Sequence, residues 1–179
     1  MNCGFYKYMK CSNVEIKAEC RDHEKIRLIL KSRGADFKGK DHQIDTYFKT
    51  NDGRLKLRQG NIENCLIYYK RENQRGPKQC DAVLHKTESG SPLKEILSRA
   101  LGVLAVVDKE REIYFIGNVK FHLDIVKDLG TFVEIEAIDR DQTIGKEELL
   151  KQCRHYMDLF GIKPEELLST SYSDFLLPK

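Results

Sequence analysis

The chain has 179 residues, 40% apolar and 33% charged, with 31 basic against 28 acidic side chains and a formal net charge of +3. That length permits one domain with a real hydrophobic core. The composition excludes a disordered or fibrous chain, and so mild a charge excess does not by itself argue for a nucleic-acid partner.

The opening MNCGFYKYMK has no secretory core and reads as part of an N-terminal extension over residues 1–11, with a single domain over 12–179. Val14, Ile16 and Ala18 then alternate with Glu15, Lys17 and Glu19, the period of a strand. Asp22 is placed to cap a helix whose Ile26, Ile29 and Leu30 share one face, and Gly34 to end it. Ile44, Thr46 and Phe48 alternate with Asp45, Tyr47 and Lys49. Leu55 and Leu57 alternate with Arg54, Lys56 and Arg58, and the short Asn51-Asp52-Gly53 link predicts an antiparallel pair. Runs 65–71 and 81–86 read as strands, separated by a flexible loop over 72–79. Ser91-Pro92 opens a second helix, striped by Leu93, Ile96, Leu97, Ala100 and Leu101 and closed by Gly102. A long strand covers 105–116. Phe121, Leu123 and Ile125 then alternate with Lys120, His122 and Asp124, and Val133, Ile135 and Ala137 with Phe132, Glu134 and Glu136. The third helix spans about 143–160, with Leu149, Leu150, Cys153, Met157 and Phe160 on one side, and stops at Gly161 and Pro164. Each amphipathic helix is expected to cover an apolar surface.

Alternation on one strand ordinarily means a core face and a wet face. Here the polar faces carry mostly formal charges, sorted by strand. Glu15, Glu134 and Glu136 are acidic; Arg54, Lys56, Arg58, Lys109 and Arg111 are basic. Like charges two residues apart on one face lie about 7 Å apart and repel. About eight strands can close into a barrel holding one small ligand. The apolar faces would then point outward under the helices, and the charged faces inward to a wet cavity. Glu15, Asp124, Glu134 and Glu136 offer the hard oxygen ligands that suit Mg²⁺ or Mn²⁺. The Lys and Arg groups match the roughly four negative charges of a triphosphate.

These residues resemble the CYTH superfamily, the triphosphate tunnel metalloenzymes, over roughly residues 12–172. The first-strand acidic signature reads Asn13-Val14-Glu15-Ile16-Lys17, and the basic motif reads Arg54-Leu55-Lys56-Leu57-Arg58. Lys109-Glu110-Arg111 is followed by Tyr114. His122-Leu123-Asp124 is followed by the segment from Leu129 to Glu136 and by a Ser171-Tyr172 tail. The stretch from Leu66 to Asp81 looks most like the class IV adenylate cyclase-like branch. Thiamine triphosphatases belong to the same superfamily.

The resemblance implies an α+β fold, a closed eight-stranded antiparallel tunnel with helices packed outside. It implies metal ligation by Glu15, Asp124, Glu134 and Glu136, and phosphate binding by Lys17, Arg54, Lys56, Arg58, Lys109 and Arg111. Lys17, Glu134 and Glu136 are the implied catalytic groups. Arg71 and Lys78 are further substrate-binding candidates, with Lys70 replacing Arg71 if the register slips by one. One departure stands out: Asn13 occupies the place of the family's first glutamate, and offers a carbonyl oxygen without a charge. The implied activity is metal-dependent hydrolysis of a triphosphate such as ATP, thiamine triphosphate or tripolyphosphate. The alternatives are cyclisation of ATP to cyclic AMP and pyrophosphate, and binding without turnover.

Other residues fit a cytoplasmic monomer or homodimer. Cys3, Cys11, Cys20, Cys65, Cys80 and Cys153 form no C-x-x-C pair and read as thiols of a reducing compartment. No apolar run has the length of a membrane span. The basic strands lack the interleaved aromatic platform of a nucleic-acid binder; Tyr68 and Tyr69 are the only tempting pair, and such a pair on a strand reads as packing. His122 reads as a structural donor, His42, His85 and His155 as surface groups, Asp81 as exposed, and Glu19 as a salt-bridge partner near a tunnel end.

Overall fold

The computed structural model describes residues 9–177. Eight strands run in chain order: β1 (Met9–Glu19), β2 (Asp36–Phe48), β3 (Arg54–Gly60), β4 (Cys65–Arg71), β5 (Lys78–Lys86), β6 (Val103–Ile116), β7 (Val119–Val126) and β8 (Gly130–Asp139). They close into an antiparallel barrel in the order β1-β5-β4-β3-β2-β6-β7-β8. Four helices lie outside it: α1 (His23–Ser32), α2 (Leu93–Leu101), α3 (Lys146–Phe160) and the short α4 (Tyr172–Phe175). This is the α+β closed barrel expected from the alternation. Residues 1–8 of the expected N-terminal extension lie outside the described residues, and β1 starts at Met9.

Barrel closure turns alternation into inside and outside. On β1, β7 and β8 the outward residues are apolar. Val14, Ile16, Phe121, Leu123, Val133 and Ile135 pack under Ile26 and Leu30 of α1 and Leu149, Cys153 and Phe160 of α3. Phe121 meets the Tyr156 and Phe160 rings edge-on, at 4.7 and 5.6 Å. The Cys153 thiol donates to the Val14 carbonyl at 3.0 Å, and burial pushes its pKa up to about 12. Asp22 caps α1 by accepting from the Lys25 amide. Asp139 accepts the amides of Thr143, Ile144 and Gly145, which aims the chain into α3.

Several expectations are corrected. β2 begins at Asp36, well before the alternation at Ile44. Its first half, DFKGKDH, is polar apart from Phe37 and exposed apart from Gly39 and Asp41, so it has no period-two signal. Strand β5 begins at Lys78 inside the segment read as a loop, which is confined to residues between β4 and that point. Helix α2 forms between Pro92 and Gly102, yet none of its residues is buried, and Ile96 is 54% exposed. It rests on β2 but hides little apolar surface. Glu19 is exposed and makes no ion pair among the described residues. The apolar faces do not all point outward either: on β4 and β5 it is Cys65, Ile67, Cys80, Ala82 and Leu84 that line the interior.

The outer packing and the contact between α1 and β6 can each be probed by one substitution. Leu149→Ala removes a side chain that is 2% exposed under the barrel wall, and should lower unfolding free energy by about 2–5 kcal/mol in urea titrations. The second concerns the clamp between α1 and β6, where Arg27 donates twice to Glu112, at 2.9 and 3.0 Å, and Tyr114 donates at 2.8 Å. Burial alone would raise the Glu112 pKa, but these donors hold it below the usual glutamate value. Its stabilisation is therefore full above the unfolded pKa of about 4.3 and disappears as pH falls through the lower folded value. Melting curves of Glu112→Gln should lose part of the wild-type decline in Tm below that pH.

Candidate functional site

A cavity of about 850 Å³ fills the barrel. It is lined by Lys17, Lys56, Arg58, Arg71, Lys109 and Arg111, and by Glu15, Glu134 and Glu136. Nine of the twelve sequence-expected site residues therefore share one lumen. Arg54 and Lys78 line a second hollow of about 930 Å³, with Arg71 common to both. Asp124 lines neither. It is fully buried, holds Arg111 through two bonds of 2.6 Å, and accepts from the Tyr172 hydroxyl at 2.8 Å. The register across β4 and β5 settles the slip: Arg71 points inward to Glu15 and Ser171, whereas Lys70 points out to Asp52.

The acidic pole comes from β1 and β8. Their ladder puts Glu15 opposite Glu136 and Lys17 opposite Glu134. Like charges placed opposite repel. Arg71 relieves Glu15, and the Asn13 amide donates to Glu136. Burial raises the Glu136 pKa, with Glu134 and Glu15 adding to the effect against Lys120. Glu134 is gripped by Lys17 at 3.4 Å, Arg111 at 2.9 Å and His122 Nδ1 at 3.1 Å. Burial would raise its pKa, and these three outweigh burial. Lys17 also lies 3.9 Å from the Tyr172 ring centroid. Burial pushes His122 down to about 3, helped by Arg111 and Lys120, so the ring is neutral.

The basic pole holds a carboxylate that sequence reasoning passed over. Asp45 sits opposite Arg58 across the β2–β3 ladder. It accepts from Arg58 at 2.9 and 3.0 Å, Lys56 at 3.0 Å and Lys109 at 2.7 Å. Burial opposes its charge, but Arg58, Lys109 and Lys56 keep its pKa well below the usual range. Burial drives Lys109 well below the ordinary lysine value, only partly offset by Asp45. Asp45 belonged to a strand alternating like the others, and only its neighbours in the closed barrel give it meaning. Lys120 and Glu63 were passed over too; Lys120 donates to Glu63 at 2.5 Å.

The two ends of the lumen differ. Asn64, Thr87, Arg140 and Asp141 ring one end on the connecting loops. The C-terminal segment lies over the other. Leu167 bridges to Ala18, the Ser171 hydroxyl shares a hydrogen bond with Tyr69, and the Tyr172 ring packs at a tilt against Phe132.

Among the described residues, no three His, Cys, Asp or Glu side chains are gathered as a metal-holding group. The donors nonetheless suit a hard divalent cation. Asn13 Oδ1 is buried without a hydrogen-bond partner, next to the crowded Glu136 and Glu15 carboxylates. A bound Mg²⁺ or Mn²⁺ would satisfy that oxygen and relieve the crowding.

A CYTH domain profile matches residues 12–172. A Methanocaldococcus jannaschii protein named as a candidate adenylate cyclase is 26% identical over 89% of this chain and 95% of its own length. The structure of a Pyrococcus horikoshii protein superposes with a TM-score of 0.75 at 26% identity, covering 90% of this chain and 98% of that one. A Hippeastrum candidate adenylyl cyclase, described as having a dominant triphosphatase activity, shares the fold at a TM-score of 0.58 and 12% identity, covering 93% of each chain.

Asp45→Asn leaves Lys56, Arg58 and Lys109 without their shared counter-charge, and should destabilise the barrel by about 3–5 kcal/mol in equilibrium unfolding.

Proposed function

The chain belongs to the CYTH domain family, and we propose that its barrel binds a triphosphate along the inward cations and hydrolyses it with the help of a divalent metal ion. One observation carries this reading: Lys17, Lys56, Arg58, Arg71, Lys109 and Arg111, from four strands, converge on one cavity whose acidic side holds Glu15, Glu134 and Glu136. Cations already oriented by resident carboxylates can bind phosphate oxygens in a low-dielectric lumen. In this reading Lys17, Lys56, Arg58, Arg71 and Lys109 hold phosphate oxygens, and Arg111 spans the phosphates and the acidic pole. Glu134 and Glu136 orient the attacking water, and Tyr172 and the C-terminal segment keep bulk solvent from that end. Asp124 acts through Arg111 as a positioning residue. Glu15, Glu136 and Asn13 Oδ1 would hold a bound Mg²⁺ or Mn²⁺, which would supply charge neutralisation and Lewis acidity. Arg54 and Lys78 would meet ligand only on the far side of Arg71.

The apolar strip of Cys65, Ile67, Ala82 and Leu84 inside the same cavity favours a second reading. It gives an organic group a place to sit, as cyclisation of ATP to cyclic AMP and pyrophosphate requires. The M. jannaschii relative's name points the same way.

Product analysis separates the two. The protein incubated with ATP or tripolyphosphate and Mg²⁺ or Mn²⁺ should release orthophosphate. Glu134→Gln combined with Glu136→Gln should reduce release at least 100-fold while tripolyphosphate still binds. Cyclic AMP with pyrophosphate would replace hydrolysis by the second reading. Tight binding with no product under either metal would sink both.

A further inference from the structure

We infer that Glu63 is a specificity-determining residue that ends the anion track, so that the lumen accepts three linked phosphates and rejects a fourth. The inference rests on the reading of the lumen as a triphosphate site. Glu63 lies on the turn between β3 and β4 and reaches across the barrel. Its carboxylate accepts from Arg58 on β3 at 2.8 Å and from Lys120 on β7 at 2.5 Å. A resident anion thus occupies the last two buried inward cations before the loop-ringed end.

The turn is built to hold it there. Asp41, fully buried, accepts the amides of Ile62 at 2.8 Å and Glu63 at 3.0 Å. Gln43 donates to Asp41 at 2.7 Å and to Glu63 at 3.2 Å. Gly60 lets the turn settle on this seat, because a Cβ there would stand 2.7 Å from the Asp41 carboxylate and 2.8 Å from the Glu63 carbonyl. The Glu63 side chain is therefore aimed by the backbone and does not hang free on a mobile loop. Burial opposes its charge, yet Lys120 and Arg58 hold it ionised.

Asp45, the other carboxylate among these cations, is placed differently. Its side chain is 1% exposed against 25% for Glu63. Both line the cavity, but Asp45 is enclosed by the three cations it braces, whereas Glu63 keeps part of its carboxylate open to the lumen. Beyond Glu63 the lining turns to Ile62, Phe115 and Ile138, with Lys86, Arg140 and Asp141 exposed at the rim. The inward cations that Glu63 does not touch are Lys17, Lys56, Arg71, Lys109 and Arg111, and with Arg58 shared at the limit of the track they match the roughly four charges of a triphosphate. A fourth phosphate would have to displace Glu63 or lie against it, like charge on like charge in a site of reduced dielectric.

The test is calorimetric, in chelator so that neither ligand is turned over. Wild-type protein should bind tripolyphosphate at least tenfold tighter than linear tetrapolyphosphate. Glu63→Gln should narrow that preference to threefold or less by gaining affinity for tetrapolyphosphate, and Glu63→Asp should keep it. Equal wild-type affinity for the two ligands overturns the inference. So does a parallel loss of both ligands in a folded Glu63→Gln, which would make Glu63 a brace only. Should that variant not fold, the wild-type comparison and Glu63→Asp decide. If wild-type protein binds neither ligand, the triphosphate reading itself fails, and that outcome is distinct from a lost preference.

Discussion

Closing eight strands into a barrel narrow enough to bury its inward side chains forces each charge to find a partner inside. An isolated ion removed from water costs several kcal/mol even after relaxation. The lumen answers with interlocked pairs: Asp45 under Lys56, Arg58 and Lys109; Asp124 and Glu134 around Arg111; Glu15 with Arg71; Glu63 between Arg58 and Lys120. The rest of the structure serves this enclosure. The apolar outer faces of β1, β7 and β8 let α1 and α3 brace the wall on one side. The C-terminal segment tucks Tyr172 against Asp124 and Phe132 at one end. A barrel with the same strands but an apolar interior would fold by ordinary packing and would have nothing to offer an anion.

Much of this was legible in the sequence because a period of two survives closure. Strands with one apolar and one charged face announce both the wall and the lumen, and β1, β3, β7 and β8 follow that pattern. Helix α1 was equally plain, since Asp22 caps it and Gly34 follows it. The first half of β2 was hidden because it is polar on both faces, extending past the barrel where neither face needs to be apolar. Strands β4 and β5 misled in the opposite sense: both faces carry apolar residues, so the sequence does not say which faces in. Helix α2 shows the limit of a stripe, because amphipathic spacing predicts a helix but not what lies beneath it.

The site was half legible for a related reason. Blocks of like charge on a strand stand out, so Arg54, Lys56 and Arg58 were found together. Single carboxylates that answer those blocks do not. Asp45, Asp41 and Glu63 come from a mixed strand and a turn, and their partners lie 13, 21 and 57 residues away in the cases of Arg58, Ile62 and Lys120. Only the barrel register brings them together. The picture of two separate poles is therefore too simple. Lys17 stands within the acidic strands and Asp45 within the basic ones, so each pole contains the ion that makes it tolerable to fold.

That arrangement changes what binding means for this lumen. The cations do not wait bare for a ligand, since every one of Lys56, Arg58, Lys109 and Arg111 already holds a carboxylate. A triphosphate entering the site adds partners to paired cations or exchanges one carboxylate for a phosphate. Guanidinium groups suit this sharing, because five donors in a planar fork can serve a carboxylate and a phosphate together. Arg111, already bonded to both Asp124 and Glu134, is built for such bridging. The resident carboxylates then do two jobs through the same charge. They make the empty barrel stable, and they subtract from its attraction for anions in general. What remains is selectivity for a ligand with enough charge, closely enough spaced, to outcompete an internal salt bridge that is already in place.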